Sequence, residues 1–342
     1  IQYYFKDLGE SKGHTWCSEK ILRAAISNNI YECCSKVDWL LENNDFLHID
    51  NGRIGLKYYY DIEIQIYHLI LNKSQIETTI NISDEAIDKA IKHAEEEQGF
   101  DYVVEQLDTI HKSLHRTVSL ITGKAGTGKT SIMRAIVKAY MENNYMMTAS
   151  ALSAMAAQRI TEATEFPAMT IHRTLGCQGL NDFTYNKDNH LITDVAFLDE
   201  GSMVNASLFL HWLEAIGDNT RIIISGDHKQ LPPIGFGNVF SDLIEMFDES
   251  VVSKLVKPMR QAEKSGILVD ANKIRENINP ISEKLQPRII HGELQDMYYM
   301  FRTNRQSLFN IAVKTFIKSV ESDGIDNVVI AVPRRKDCLN ST

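Results

Sequence analysis

Hydrophobic positions along the chain follow two different rhythms. Between residues 15 and 60 they recur at helical spacing in "SEKILRAAI", then at Ile30, Cys33, Cys34, Val37, Leu40 and Leu41. Two extended runs follow in "FLHIDNGRIGLKYYY", around Asn51-Gly52, a dipeptide that favours a tight hairpin turn. Residues 62–115 predict mostly helix, and "DEAIDKAIKHAEEEQGF" reads as a charged, solvated connector. From residue 117 the rhythm changes. Short β-rich runs, "TVSLIT", "YMMTAS", "VAFLDE" and "RIIISG", alternate with long amphipathic segments. That alternation predicts a doubly wound α/β domain with a parallel sheet. A later run, "NVVIAV" at 327–332, predicts the first strand of a second α/β domain.

The 342 residues are 44% hydrophobic and 24% charged, an ordinary globular balance with room for two or three cores. The expected organisation is an N-terminal helical and hairpin module over 1–100, an α/β domain over 101–253 and a partial second one over 254–342. No apolar run approaches the ~18 residues of a membrane span, so no membrane partner is expected. The first residue is Ile1 and no signal-peptide pattern follows, so the chain reads as trimmed at its start. The five cysteines have no zinc-ligand spacing, which suits free thiols in a reducing cytoplasm.

Net charge is −9, which argues against a protein that simply coats nucleic acid. The charge is uneven: −7 over 1–100, −7 over 101–253 and +5 over 254–342. Helices followed by a hairpin are similar to a winged helix, which binds DNA or serves as a protein-contact module. The acidity of residues 1–100 favours a protein partner, because phosphate contact needs Lys and Arg.

"GKAGTGKT" sits between the run "TVSLIT" and the helical "SIMRAIVKAYMENN". Gly123, Gly128, Lys129 and Thr130 satisfy the phosphate-loop spacing G-x-x-x-x-G-K-[ST]. Its glycines let backbone N–H groups from Ala125, Gly126, Thr127 and Ser131 turn toward phosphates. Lys129 reaches the β- and γ-phosphates and the Thr130 hydroxyl binds Mg²⁺. The expected cofactors are therefore ATP and Mg²⁺. "VAFLDEGSM" ends a hydrophobic strand in Asp199-Glu200. Asp199 suits the Mg²⁺ shell, and Glu200 suits a base that orients and deprotonates water, which points to hydrolysis. "ISGDHKQLPPIGFGNVFSDL" leaves another strand, and the Gln230 amide can report whether a γ-phosphate is present.

In this order, "GKAGTGKT", "LDEGSM" and "GDHKQLPPIGFGNVFSDL" resemble motifs I, II and III of superfamily 1 DNA helicases. The last is most similar to the RecD/TraA branch. "SALSAMAAQRI" resembles motif Ia, with Ser153 where Thr is usual. "TIHRTLG" resembles the segment after it. "KPMRQAEKSGILVDANKIRENINP" resembles motif IV, with Met259 where an aromatic often stands, and "VIAVPRRKDCLNST" resembles the next strand of a second motor domain. Gln106 falls where the family's adenine-reading glutamine stands. The likeness covers about residues 101–342, and no match to motifs V and VI appears, so the chain reads as truncated before them.

The resemblance implies RecA-like motor domains, ATP between them, Gln230 coupling phosphate state to DNA, and Arg260 reaching the γ-phosphate. It implies 5′→3′ movement on single-stranded DNA, or on duplex with a single-stranded tail, in repair, recombination or phage and plasmid DNA processing. Ser153, Arg159, His172 and Phe236 are the candidate DNA contacts. Residues 177–193, with Phe183 and Tyr185, form either a strand-separating pin or a plain surface loop. Two other functions stay open: a motor subunit serving a nuclease or relaxase, and a P-loop module in which ATP acts only as a switch.

Overall fold

The computed structural model describes residues 1–29, 36–179, 182–257, 264–281, 288–301 and 304–331. They divide into compact units over 1–259 and 260–342.

The first unit is built on a six-stranded parallel sheet. Its strands are β4 (Val118–Gly123), β5 (Met147–Ala151), β6 (Ala168–Thr170), β9 (Val195–Asp199), β10 (Arg221–Gly226) and β11 (Val252–Leu255), in the order β11-β4-β10-β9-β5-β6. β4 and β10 are buried at every position, with apolar centres (Leu120 and Ile121; Ile222, Ile223 and Ile224) flanked by buried Ser119, Thr122, Arg221 and Ser225. Side chains alternate between the two faces. Val118, Leu120, Ala196, Leu198, Ile222 and Ile224 enter one core, and Ile121, Val195, Phe197 and Ile223 enter the other.

Helices cover both faces. Helix α4 (Lys57–Ser74) and helix α10 (Ala206–Glu214) pack on the first core. Helices α5 (Asp84–Gln98), α6 (Val104–His115), α7 (Lys129–Glu142) and α8 (Ala154–Thr164) pack on the second. The expectation of a solvated connector at α5 is overturned. Its apolar stripe of Ile87, Ala90, Ile91 and Ala94 is buried against α7. Lys73, near the end of α4, donates to the carbonyls of Gly217 (2.6 Å), Asp218 (3.0 Å) and Thr220 (3.1 Å). Burial lowers its pKa to about 8, with Asp218 opposing. The fully buried Arg221 donates to Thr78 Oγ1 (3.0 Å), Tyr140 Oη (3.2 Å) and the carbonyls of Ile80 (2.7 Å) and Leu114.

Residues 1–56 form a smaller module: α1 (Gln2–Lys12), β1 (Trp16–Ser18), α2 (Glu19–Asn29), α3 (Val37–Glu42), β2 (Leu47–Asp50) and β3 (Arg53–Leu56). Its antiparallel sheet has the order β1-β3-β2. The hairpin turns at Asn51 (φ 48°) and Gly52 (φ 75°), the two left-handed positions that the Asn-Gly pair supplies. Phe5, Leu22, Val37, Ile54 and Tyr59 make a separate core.

Between residues 177 and 183 a short hairpin does form, from β7 (Cys177–Gly179) and β8 (Asp182–Phe183). Phe183 is buried there, with its ring 5.0 Å from that of His211, and Tyr185 packs on the first core. Both aromatics suggested for a pin therefore face inward.

The second unit contains helix Gly266–Arg275, an antiparallel pair Arg288–His291 and Met297–Met300, and helix Arg305–Asp323. Asp270 organises it, accepting from Lys273 Nζ (3.1 Å) and Tyr299 Oη (3.1 Å) with His291 Nδ1 at 2.5 Å. The strand expected at 327–332 is not formed over its described part. Residues 328–331 are unpaired, and Val329 and Ile330 are exposed. Motif-like apolar content does not make a strand without a neighbour to accept its hydrogen bonds.

A cavity of about 440 Å³ separates the small module from helix α11 (Val239–Met246), lined among others by Trp16, His48, Tyr60, Glu63 and Asp242. Burial lifts Glu63 from 4.5 to about 7, opposed by a Thr15 hydrogen bond and aided by Asp242. Burial also lifts Asp242 to about 6, aided by Glu245. A carboxyl with a raised folded-state pKa binds more protons folded than unfolded, so its contribution to stability falls as pH rises from about 4.5 through about 7. Glu63→Gln should leave the melting temperature nearly unchanged at pH 4 and raise it at pH 8. After solvent screening the gain should be about 2 kcal/mol. Thermal melts of both proteins across that range check this, and a constant difference would contradict it.

Candidate functional site

Because all six strands run parallel, the loops that follow them open on one edge of the sheet. The loop after β4 is the phosphate loop. Gly126 (φ 79°) and Gly128 (φ 88°) hold left-handed backbone, and α7 starts at Lys129 without a side-chain cap. The first-turn N–H groups of α7 are therefore offered to the loop, as an anion site requires. A Cβ on Gly123 would lie 2.5 Å from Thr127 Oγ1 and 2.9 Å from Leu255 Cβ, so this position admits no side chain. Thr127 is buried, and its hydroxyl donates to the Lys124 carbonyl at 2.8 Å. Lys129 Nζ donates to the carbonyls of Gly123 (2.6 Å) and Lys124 (3.3 Å), inside the loop. Ala125 and Thr130 are exposed on its rim. Ser131 donates to Gln98 Oε1 at 2.7 Å, tying α7 to the end of α5.

Gln106 lies beside this loop. Its Nε2 donates to the Thr127 carbonyl (3.0 Å) and its Oε1 accepts from the Val103 N–H (3.1 Å). With 3% exposure it braces the phosphate loop from α6.

Asp199 ends β9, and the Ser225 hydroxyl of neighbouring β10 donates to its carboxylate. Glu200 follows with φ 54° and ψ 34°. A non-glycine residue in that region stores roughly 1–3 kcal/mol of strain, a cost that clusters at functional sites. Burial raises the Glu200 pKa, and Asp199 raises it further. Arg159 and Lys129 oppose the rise. Lys129, Asp199 and Glu200 thus share one electrostatic neighbourhood. Thr130 and Asp199 fit a divalent cation bridging phosphates: one offers an exposed hydroxyl on the first turn of α7, the other a carboxylate aligned by Ser225.

The loop after β10 starts at buried Asp227, whose carbonyl accepts from the Gln230 N–H at 3.0 Å. Gln230 itself is exposed. At its far end the loop is anchored. Phe236 stacks on Tyr59 (centroids 4.1 Å apart, 20° between planes), and the Gly237 N–H donates to the Gly13 carbonyl at 3.3 Å. One ring face of Phe236 is thus used to join this loop to the small module.

The other suggested DNA contacts separate. Ser153 caps α8, accepting from the Ala156 N–H at 3.1 Å. His172 is exposed on helix α9 (Ile171–Thr174), 6.3 Å from the Phe183 ring. Arg159 is exposed on α8, with its charge acting on Glu200. Arg260 lies outside the described residues. The sequence reading missed Ser225, and also the pair Thr122 and His228, whose Oγ1 and Nδ1 lie 2.7 Å apart across the ends of β4 and β10. The signal was present, since both His228 and Ser225 stand in or beside "SGDHKQ".

The profile of a sequence family described as an AAA domain matches residues 101–295. The chain belongs to this family. Its curated relatives include RecD subunits and a RecD2 helicase. The RecBCD enzyme subunit RecD of Buchnera aphidicola subsp. Schizaphis graminum is 24% identical over 309 residues, covering 79% of this chain and 49% of that protein. The ATP-dependent RecD2 DNA helicase of Deinococcus radiodurans is 33% identical over 184 residues, covering 54% of this chain and 24% of that protein. The chain thus spans about half the length, or less, of those curated relatives. A crystal structure of Pif1 helicase from Candida albicans overlaps 51% of this chain and 44% of its own, at 25% identity and TM-score 0.39.

Gly123→Ala should weaken nucleotide binding at least tenfold, because the added Cβ displaces Thr127 or Leu255. Overpacking of this kind costs about 1–3 kcal/mol. Titration with a fluorescent ATP analogue, beside a thermal melt, checks both effects. Unchanged affinity would show that the loop does not cradle phosphate in this conformation.

Proposed function

We propose that the chain is the ATP-hydrolysing part of a DNA helicase or translocase acting on single-stranded DNA. The observation that carries this reading is the meeting of Lys129, Asp199 and Glu200 at one sheet edge, beside a Gln230 loop that leaves the strand between them. Lys129 and the loop N–H groups bind and orient the triphosphate. Thr130 and Asp199 would hold Mg²⁺, which neutralises charge on the phosphate oxygens. Glu200 orients the attacking water and takes its proton. Gln106 braces the phosphate loop through Thr127 and is assigned to adenine by family resemblance alone, and Gln230 senses the γ-phosphate and passes its state to DNA. Arg260 is assigned to the γ-phosphate by family resemblance. Movement 5′→3′ follows the RecD-like branch.

A motor subunit within a larger nuclease assembly is the second reading. It is favoured by the relative named as a RecBCD subunit and by the acidic surface of residues 1–100. Co-purification with a nuclease partner separates it from a free-standing helicase.

ATP hydrolysis by the chain should rise at least tenfold with single-stranded DNA, and Lys129→Ala and Glu200→Gln should each abolish it. Hydrolysis indifferent to DNA would sink the motor reading. Preference for a 3′-tailed over a 5′-tailed duplex would overturn the polarity.

The pH profile tests the base directly. Glu200 can accept a proton only when ionised, and its pKa is raised, so activity should fall on the acid side from a midpoint above the usual 4.5. Removing the opposing charge in Arg159→Ala should move that midpoint to higher pH, and Asp199→Asn should move it lower in whatever activity remains. Profiles of kcat against pH for the three proteins decide this.

A further inference from the structure

We propose that Asp84, His111 and His115 form a site for a divalent transition-metal ion of the zinc and cobalt class. Asp84 opens α5, and the two histidines stand one turn apart near the end of α6. The two helices lie side by side with their ends reversed, since Gln98 of α5 and Gln106 of α6 both reach the phosphate loop at the opposite end. Asp84 Oδ1 is 2.9 Å from His115 Nε2 and 3.8 Å from His111 Nδ1. One donor atom from each residue lies within 4.8 Å of the others. In a tetrahedral site with bonds of about 2.0–2.1 Å, neighbouring donors sit about 3.3 Å apart. The observed spacings bracket that value, and small rotations of these partly exposed side chains close the rest.

A fourth residue sets the chemistry. Asp88, one turn after Asp84, has Oδ1 3.1 Å from His111 Nε2. A carboxylate there accepts the Nε2–H and leaves Nδ1 as the lone-pair nitrogen facing Asp84. A ring lone pair opposite a carboxylate oxygen is repulsive unless a cation lies between them. A proton on Nδ1 satisfies that one pair, whereas a metal ion satisfies Asp84, His111 and His115 together. Two imidazoles and one carboxylate suit Zn²⁺, Co²⁺ or Ni²⁺ better than Mg²⁺, and they leave a fourth position for water. Nothing in this site touches Lys129, Asp199 or Glu200, so it is separate from the hydrolytic site. Its effect is to staple α5 to α6 at the end away from the phosphate loop.

The test uses the full chain, stripped with a chelator and titrated with Co²⁺ without nucleotide. The expected result is one saturable site with the visible absorption of four-coordinate Co²⁺, without a thiolate band, displaced by Zn²⁺ but not by Mg²⁺. Zn²⁺ should also raise the melting temperature, because it binds the folded arrangement. His111→Gln and His115→Gln should each weaken binding at least tenfold. Asp88→Asn should weaken it about 10- to 100-fold, as loss of an outer carboxylate does. Circular dichroism and ATP-analogue binding keep these variants comparable with the parent. Absence of saturable Co²⁺ binding, or binding unchanged in the His111→Gln, His115→Gln double variant, overturns the proposal.

Discussion

The ladder that β10 makes with β4 on one side and β9 on the other sets the scale of the site. Neighbouring strands lie about 4.8 Å apart, so the strand that feeds the phosphate loop and the strand that ends in Asp199 are held roughly 10 Å apart. A triphosphate with its cation needs a gap of that order. Parallel pairing fixes register as well as distance, because a slip of one residue would turn every core side chain to the other face. β10 also contributes directly. Ser225 reaches sideways to Asp199, and His228 beyond its end meets Thr122. The central strand is thus a spacer that bonds to the sites on both flanks.

The loop that follows β10 is constrained at both ends and open in the middle. Asp227 is buried against Ser202, and Phe236 and Gly237 are joined to Tyr59 and Gly13. Asn205 holds the Ile234 carbonyl at 3.2 Å, and the Ala206 N–H donates to the Phe236 carbonyl at 3.0 Å. Between these anchors Gln230, Leu231 and Ile234 are exposed. A segment fixed so closely at its ends has few ways to shift.

Much of this was legible in the sequence, for reasons that differ by element. The phosphate loop and Asp199-Glu200 announce themselves because their chemistry demands particular residues at short spacing. β4, β9 and β10 show because strands covered on both faces carry consecutive apolar residues at their centres. β6 and β11 are only three and four residues long, too short to rise above their surroundings. Helix α5 was masked by its charges, since its four-residue buried stripe is visible in the period but not in the composition. The stack of Phe236 on Tyr59 was not legible, because its partner is remote in the chain and no local pattern reveals such a contact. Ser153, read as a ligand contact, closes a helix end, a role serine fills wherever a strand turns into a helix.

Lys73 has a consequence for where this folding unit begins. Its ammonium binds three carbonyls in the turn over residues 217–220, although it comes from a helix that ends at Ser74, well before the phosphate loop opens at Gly123. The same helix supplies Ile62, Ile66 and Ile70 to the sheet's first core. The smallest autonomous folding unit is therefore not the stretch that carries the motif-like segments. Excising it at residue 101 would remove Ile62, Ile66 and Ile70 from the sheet's first core, the α5 stripe from the second, and the Lys73 donor from the turn over 217–220. The start of the folding unit and the start of the recognisable motif region are different places in this chain.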